Sequence, residues 1–390
     1  PFDIDIILRS HPEGIEIVQG SGVFGDNRVE AQGVLALRPG LQGSSGFVRA
    51  LGPEFRNVAL LSGVPYLPAG AFDISGEVTV GGDLLRLRRV SASVGDMEGS
   101  LSGQVVIAGA NTGGFGLDLV LAGPDLAAVP AIEVLEIFAG DAFRVAGRLE
   151  RREDLLTAKN LDLSLGDLNA TLDGAVDGAA EQVRMSVSAN APGSLMVQKI
   201  AKLSYLPGGP VVFQGELEKS HDEIRLSEAV ATIGDYRLTA NGTLNLQPKS
   251  NDSDLAFSVS GPSLLEVGRI FSVLALPDKE FEISGQFNGI PTGFDMRDFR
   301  ARVGDNDLRG EFNINLEEKP RIAGVLSSTY LDFSQPDAVD EEQAKPEEPD
   351  AGEEPGAGRL FSDKPLDTSW LQAADIDLRL QFDEFIANTL

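Results

Sequence analysis

Cysteine is absent from these 390 residues. That rules out disulfides, thiolate metal sites and a thiol nucleophile. Histidine is nearly absent too: only His11 and His221 occur, each beside polar residues of loop character. Tryptophan occurs once, at Trp370, and there are only four tyrosines and four methionines. No run of 18 apolar residues is present, so nothing reads as a membrane-spanning helix. Nor is there a secretory leader; the chain opens at Pro1 within a strand-like pattern and reads as an excerpt of a longer protein. Basic residues are the minority: 32 Lys and Arg stand against 60 Asp and Glu, for a net charge of −28. Such a chain is repelled by phosphate backbones and by anionic headgroups, which argues against nucleic-acid binding and electrostatic docking on a membrane.

The motifs of common chemistries are missing as well. Gly43-Ser44-Ser45-Gly46 is not the Gly-x-Ser-x-Gly of a hydrolase elbow, and there is no phosphate-binding loop and no zinc-ligand spacing. Asp305, Asp307 and Gly310 imitate the start of a calcium loop. Arg309 occupies its fifth position, however, and Leu316 stands where a bidentate Glu is needed, so a hairpin turn is the better reading. Asn169, Asn241 and Asn251 begin N-x-S/T sequons at a frequency that chance explains. The expectation is a protein that is not an enzyme and needs no cofactor or metal.

What the chain has in abundance is 44 glycines and 20 phenylalanines, within a composition that is 42% hydrophobic. The glycines are phased. A Gly-Asp pair follows a bulky apolar residue at Gly25, Gly95, Gly166, Gly234 and Gly304, a period of about 70 residues. A second glycine trails each of the first four pairs by eight positions (Gly33, Gly103, Gly174, Gly242) and the last by six, at Gly310. A third set, Gly76, Gly147, Gly215 and Gly285, lies inside strand-like segments. A fourth marker is small residue-Pro: Gly52-Pro53, Gly123-Pro124, Ala191-Pro192 and Gly261-Pro262. Several markers sharing one period define a tandem repeat.

Gly-Asp suits the two central positions of a type II′ hairpin, because glycine accepts positive φ at the first. The flanking residues then pair across the turn: Val94 with Met97, Leu165 with Leu168, Ile233 with Tyr236. Asn27 and Asn306 break the apolar rule. Between turns the period is two, as in Leu117, Leu119 and Leu121, which gives antiparallel sheet with one apolar and one polar face. After each Pro marker the period turns helical, over roughly 53–62, 124–138, 192–203 and 262–274. The expected fold is mainly β: an elongated repeating β-groove of antiparallel strands with one short helix per repeat. Tandem units are expected near 2–71, 72–142, 143–210, 211–280 and 281–334. An acidic, proline-bearing linker at 335–358 reads as disordered. A further β unit begins within 359–390.

The apolar face provides the candidate functional residues. They are Phe72, Ile74, Leu101, Leu117, Leu119, Leu121, Leu161, Leu163, Leu165, Leu238, Leu255, Phe257, Val259, Phe281, Ile283, Phe312 and Ile314.

The segment Val303-Gly304-Asp305-Asn306-Asp307-Leu308-Arg309-Gly310-Glu311-Phe312 runs on to Lys319-Pro320-Arg321-Ile322-Ala323-Gly324 and Leu326-Ser327-Ser328. Leu331-Asp332-Phe333 follows, and past the acidic stretch come Lys364-Pro365-Leu366, Leu371 and Ala374-Asp375-Ile376-Asp377-Leu378. This resembles the C-terminal region of the AsmA family, including its TamB-like and YhdP-like members. Asn306 stands where that family often has Ser, and Phe333 where it often has Leu. The resemblance implies repeating β-groove rods that carry phospholipid through the bacterial periplasm between inner and outer membrane. They would hold acyl chains on the apolar face and be anchored in the inner membrane by a segment outside this chain. Two other readings of the same pattern are a scaffold or assembly factor for outer-membrane proteins, acting by β-augmentation, and a closed β-solenoid stalk.

Overall fold

The computed structural model describes residues 2–58, 68–107, 113–126, 140–246, 253–270, 276–316, 320–332 and 375–386. The acidic stretch 335–358 and Trp370 lie outside them. The chain divides into two units, Pro1–Lys202 with Val211–His221, and Leu203–Pro210 with Asp222–Leu390.

The first unit holds thirteen strands. They are β1 (Phe2–His11), β2 (Gly14–Phe24), β3 (Asn27–Ala36), β4 (Ser45–Gly52), β5 (Phe72–Gly81), β6 (Leu84–Val94) and β7 (Met97–Val106). β8 (Phe115–Gly123), β9 (Phe143–Arg152), β10 (Leu155–Leu165), β11 (Leu168–Asp177), β12 (Gln182–Ala191) and β13 (Val211–Ser220) follow. Each pairs antiparallel with the next, and β1 and β13 do not pair with each other, so the sheet is open. The second unit holds β14 (Glu223–Ile233), β15 (Tyr236–Asn245), β16 (Asp254–Gly261), β17 (Phe281–Ile290), β18 (Gly293–Val303), β19 (Asn306–Asn315), β20 (Arg321–Asp332) and β21 (Asp375–Ile386). β14 to β20 are again sequential and antiparallel; β21 lies parallel to β20.

The repeat is therefore a four-stranded meander, and β5, β9, β13 and β17 start new copies at Phe72, Phe143, Val211 and Phe281. All five Gly-Asp pairs close hairpins, with Phe24↔Asn27, Val94↔Met97, Leu165↔Leu168, Ile233↔Tyr236 and Val303↔Asn306 in register. The turn glycines have φ between 52° and 65°, and the aspartates after them do not, as type II′ geometry requires. In four turns the glycine N–H adds one more rung: Gly95 donates to Ala71, Gly166 to Ala142, Gly234 to Pro210 and Gly304 to Glu280, each at 2.8 Å.

A β-bulge recurs at one phase in the second strand of every repeat. Register shifts between Ile17 and Gly20, Leu87 and Val90, Ala158 and Leu161, Leu226 and Ala229, and Met296 and Phe299. Four of these bulges force a non-glycine residue into the left-handed region: Arg89, Asn160, Glu228 and Asp298, with φ between 46° and 50°. The second glycine marker sits opposite the bulge. A Cβ on Gly33, Gly103, Gly174, Gly242 or Gly310 would lie 2.1 to 2.2 Å from a carbonyl oxygen of the fourth strand. The marker is thus a close approach of two backbones. The offset of six in the last repeat also has a cause. Gly310 pairs with Phe299 beyond the bulge, whereas Gly103 pairs with Leu87 before it.

The crossing segments are described only in part. The described part of the first is a 3₁₀ turn, Phe55–Val58, and not an α-helix. There Glu54 Oε1 accepts from the N–H of both Arg56 and Gly70, and Phe55 N–H donates to Gly70 O. The third and fourth contain the short helices α1 (Leu195–Ala201) and α2 (Leu264–Ile270). Most of the second, and 271–274, lie outside the described residues.

Candidate functional face

Paired residues of a sheet share a face, so the register sorts every side chain. One cross-strand row of the first unit reads Ile4, Gly22, Val29, Ala50, Ile74, Ala92, Gly99, Leu121, Val145, Leu163, Ala170, Ala189, Phe213. It crosses all thirteen strands without a polar side chain. The next reads Leu8, Ile17, Gly33, Gly46, Val78, Leu87, Gly103, Leu117, Leu149, Ala158, Gly174, Met185, Leu217 and is equally apolar. Between them Leu101 and Leu119 pair, Leu161 pairs with Leu172, and Gly76 and Gly147 face Val90 and Leu161 across the bulges.

The second unit repeats the pattern. Leu226, Gly242, Leu255, Phe287, Met296, Phe312, Gly324 and Leu378 form one row across its eight strands. Leu238, Val259 and Ile283 form another, and Phe294, Ile314, Ile322 and Ile376 a third. Phe287 stacks on Phe294 at 5.1 Å and Phe299 meets Phe312 edge-on at 5.2 Å. Phe257 lies between Ala240 and Gly285. Every candidate residue read from the sequence belongs to the apolar face of its unit.

These residues differ in burial. Phe72, Leu165 and Phe281 are buried, Leu238 is 42% exposed, and the other candidates are half-buried. The buried ones sit at the Gly-Asp end of the strands, where crossing segments cover the sheet. In the first unit Phe72, Val94, Met97, Leu126, Phe143 and Leu165 form one cluster, with Phe55 and Met196 packed against it. Phe55 meets Phe72 at a ring separation of 5.1 Å. Away from that end no comparable cluster closes over the rows among the described residues. No large side chain among the described residues is fully buried.

The opposite face is ionic. Arg49 is bidentate to Asp73, whose carboxyl is held below the usual range by that hydrogen bond. Arg148 donates to Asp118 at 2.8 Å and to Glu150 at 2.7 Å, and Lys159 reaches Glu150 at 3.3 Å. The two donors lower the pKa of Glu150. A hollow of 1020 Å³ is lined by charged residues, Glu77, Asp118, Arg148 and Lys159 among them, and also by Leu101 and Leu119. A hollow of 160 Å³ borders Ile17, Ala31, Gly33, Val48, Val78 and Val80 on the apolar side.

The calcium-like residues turn inward instead. The ladder between β19 and β20 ends at Arg309↔Ser327. Beyond it the Asp307 carboxylate accepts from Thr329 N (2.8 Å), Tyr330 N (2.9 Å), Thr329 Oγ1 (2.7 Å) and Ser328 Oγ (3.3 Å). Asn306 exchanges two bonds with the Asp332 backbone, at 2.8 and 3.3 Å. So the polar exception after the last turn replaces missing rungs. The Thr329 hydroxyl and its neighbours hold the Asp307 carboxyl below the ordinary range. A group with a lowered folded pKa stabilises above its unfolded value and loses that contribution as pH falls through the folded one. Asp307→Ala is expected to cost about 2 kcal/mol. In urea unfolding the gap between parent and variant should be constant from neutral pH down to about 5, and close below about pH 4.

The segments Val303–Asn315, Arg321–Asp332 and Asp375–Leu378 lie on β18 to β21, whereas Lys319, Phe333, Lys364, Pro365, Leu366, Leu371 and Ala374 lie outside the described residues. No family model, curated protein or solved structure matches the chain. Among the described residues no helix is long and apolar enough to cross a membrane. What sequence reading missed are alanines of the rows, such as Ala92, Ala158 and Ala189. Their strict alternation with polar neighbours was the available signal.

Proposed function

We propose that the apolar face is a lipid path. In this reading the protein is a non-enzymatic carrier whose repeats form a groove, each with one short crossing helix at its edge. Acyl chains lie along the rows, and phospholipid headgroups stay in water. The observation that supports it is the unbroken apolarity of the rows together with the lack, among the described residues, of a closed core over them. Moving one acyl chain of about 15 carbons into water costs ~12 kcal/mol at ~0.8 kcal/mol per CH₂. Half-exposed Leu, Val, Ile and Phe side chains offset most of that without any catalytic group. The resemblance to the AsmA family supplies the rest of the proposal: phospholipid as cargo, and the bacterial periplasm as the setting.

The test is organic extraction of the purified chain followed by mass spectrometry. Co-purifying phospholipid, at about one or more molecules per chain, is the expected result. A folded protein that carries none, and whose apolar face excludes a hydrophobic dye, would refute the reading.

A further inference from the structure

At the end of the strands away from the Gly-Asp turns, one row of the apolar face carries charge. Across β5 to β13 it reads Val80, Leu85, Val105, Phe115, Arg151, Leu156, Val176, Val183, Lys219. Alternation puts Arg151 on the face of Leu149, and Lys219 on the face of Leu217. Both cations are the ninth residue of a repeat's first strand, β9 or β13. Four strand steps separate them, about 19 Å along the sheet. Both are exposed. Arg151 spends its Nε on Glu153 O at 3.1 Å, and its terminal amino groups make no bond among the described residues. The Lys219 ammonium makes none there either. Carboxylates come next. Glu153 and Asp154 form the turn after β9, and Glu181 stands one position beyond the Gln182↔Ser220 pair of β12 and β13. All three are exposed. Outward along the strands the order is therefore apolar, cation, carboxylate.

We propose that Arg151 and Lys219 each receive the headgroup of a zwitterionic phospholipid, in which a phosphodiester adjoins the acyl chains and an ammonium lies beyond it. The two orders match. Acyl chains lie against Leu149 or Leu217, the phosphodiester meets the cation, and the ammonium reaches Asp154 or Glu181, all at an exposed rim. The arginine fork can hold two phosphate oxygens at once, and the lysine serves as a point charge. A headgroup of net negative charge has nothing to offer the outer carboxylates and is repelled by them, on a chain that already carries −28. The inference rests on the lipid-path reading and adds the class of headgroup.

The experiment offers the delipidated full chain an equimolar mixture of phosphatidylethanolamine, phosphatidylglycerol and diacylglycerol with identical acyl chains, and counts what is retained by mass spectrometry. Phosphatidylethanolamine is expected to exceed each of the others about tenfold, the worth of one charge-assisted hydrogen bond. An Arg151→Ala, Lys219→Ala double variant should lose that advantage over diacylglycerol. An Asp154→Lys, Glu181→Lys double variant should shift the preference to phosphatidylglycerol, and circular dichroism checks that both variants fold. Millimolar glycerophosphoethanolamine, which lacks acyl chains, should displace no lipid. Equal retention of all three lipids would overturn the proposal and leave the lipid path standing. So would a phosphatidylethanolamine preference that survives Arg151→Ala, Lys219→Ala, or displacement by the soluble headgroup. Retention of no lipid, diacylglycerol included, would refute the lipid path itself.

Discussion

Leu119→Asp and Phe257→Asp are each expected to leave the chain folded and to reduce retained phospholipid at least tenfold. Leu119 sits in the middle of its row, between Leu101 and Gly147, and Phe257 between Ala240 and Gly285. Both side chains are half-buried. A carboxylate in a closed core must be neutralised or unfold its surroundings, because desolvating the charge costs many kcal/mol. At these positions water can reach it, and the loss should be only the side chain's own burial, about 1–2 kcal/mol. On the lipid-path reading the same charge interrupts the acyl contact. Urea unfolding gives the first quantity and lipid extraction the second. Ser100→Asp, on the exposed polar face, is the matched control and should change neither. Undiminished lipid in a folded Leu119→Asp would count against the groove. Loss of folding in both apolar-face variants would point to a closed core.

The second large effect concerns backbone. Gly103→Ala should destabilise the first unit by about 3 kcal/mol or more. Gly103 has φ 145°, and its Cβ would lie 2.1 Å from Gly116 O and 3.0 Å from Leu117 Cα. That backbone region is essentially glycine's alone, and a strain of about 1–3 kcal/mol arises before any collision. The obstacle is main chain of the neighbouring strand, so relief requires the strands to separate. Across the bulge the opposite substitution should help. Arg89 is held at φ 48°, and Arg89→Gly should gain about 1 kcal/mol. Its ion pair with Glu77 is exposed and offsets little. Urea midpoints of both variants check the pair; a Gly103→Ala protein as stable as the parent would show that β7 and β8 are not held that closely.

The two glycine effects explain which parts of the fold the sequence reveals. Gly-Asp turns are legible because two adjacent residues specify the geometry alone. Leu117, Leu119 and Leu121 are legible as a face because their spacing equals the period of the strand. The glycine after each turn was visible as a landmark, but its cause, a bulge on one neighbour and a carbonyl on the other, depends on strands brought together only by folding. The 3₁₀ geometry of Phe55–Val58 was not legible, because the bonds that Glu54 and Phe55 make there reach Gly70, fifteen or more residues along the chain. β21 was legible as a strand but not as a parallel one, since Ile376, Leu378 and Leu380 carry the same alternation whichever direction the strand runs. The stretch around Asp307 was legible as a hairpin turn, yet the partners of its carboxylate, Thr329 and Tyr330, are set by the point where a ladder stops.

The lengths of the connections carry a practical consequence. From Gly52 to Phe72, Gly123 to Phe143, Ala191 to Val211 and Gly261 to Phe281 the spacing along the chain is the same each time. The connection from third to fourth strand is not fixed in this way: Ala36 to Ser45 and Val106 to Phe115 are longer than Asp177 to Gln182. Within this chain that loop varies from repeat to repeat while the crossing keeps its length. An epitope tag or fluorophore-bearing peptide grafted between Asp177 and Gln182 would thus use the one joint of the repeat whose span is free to change.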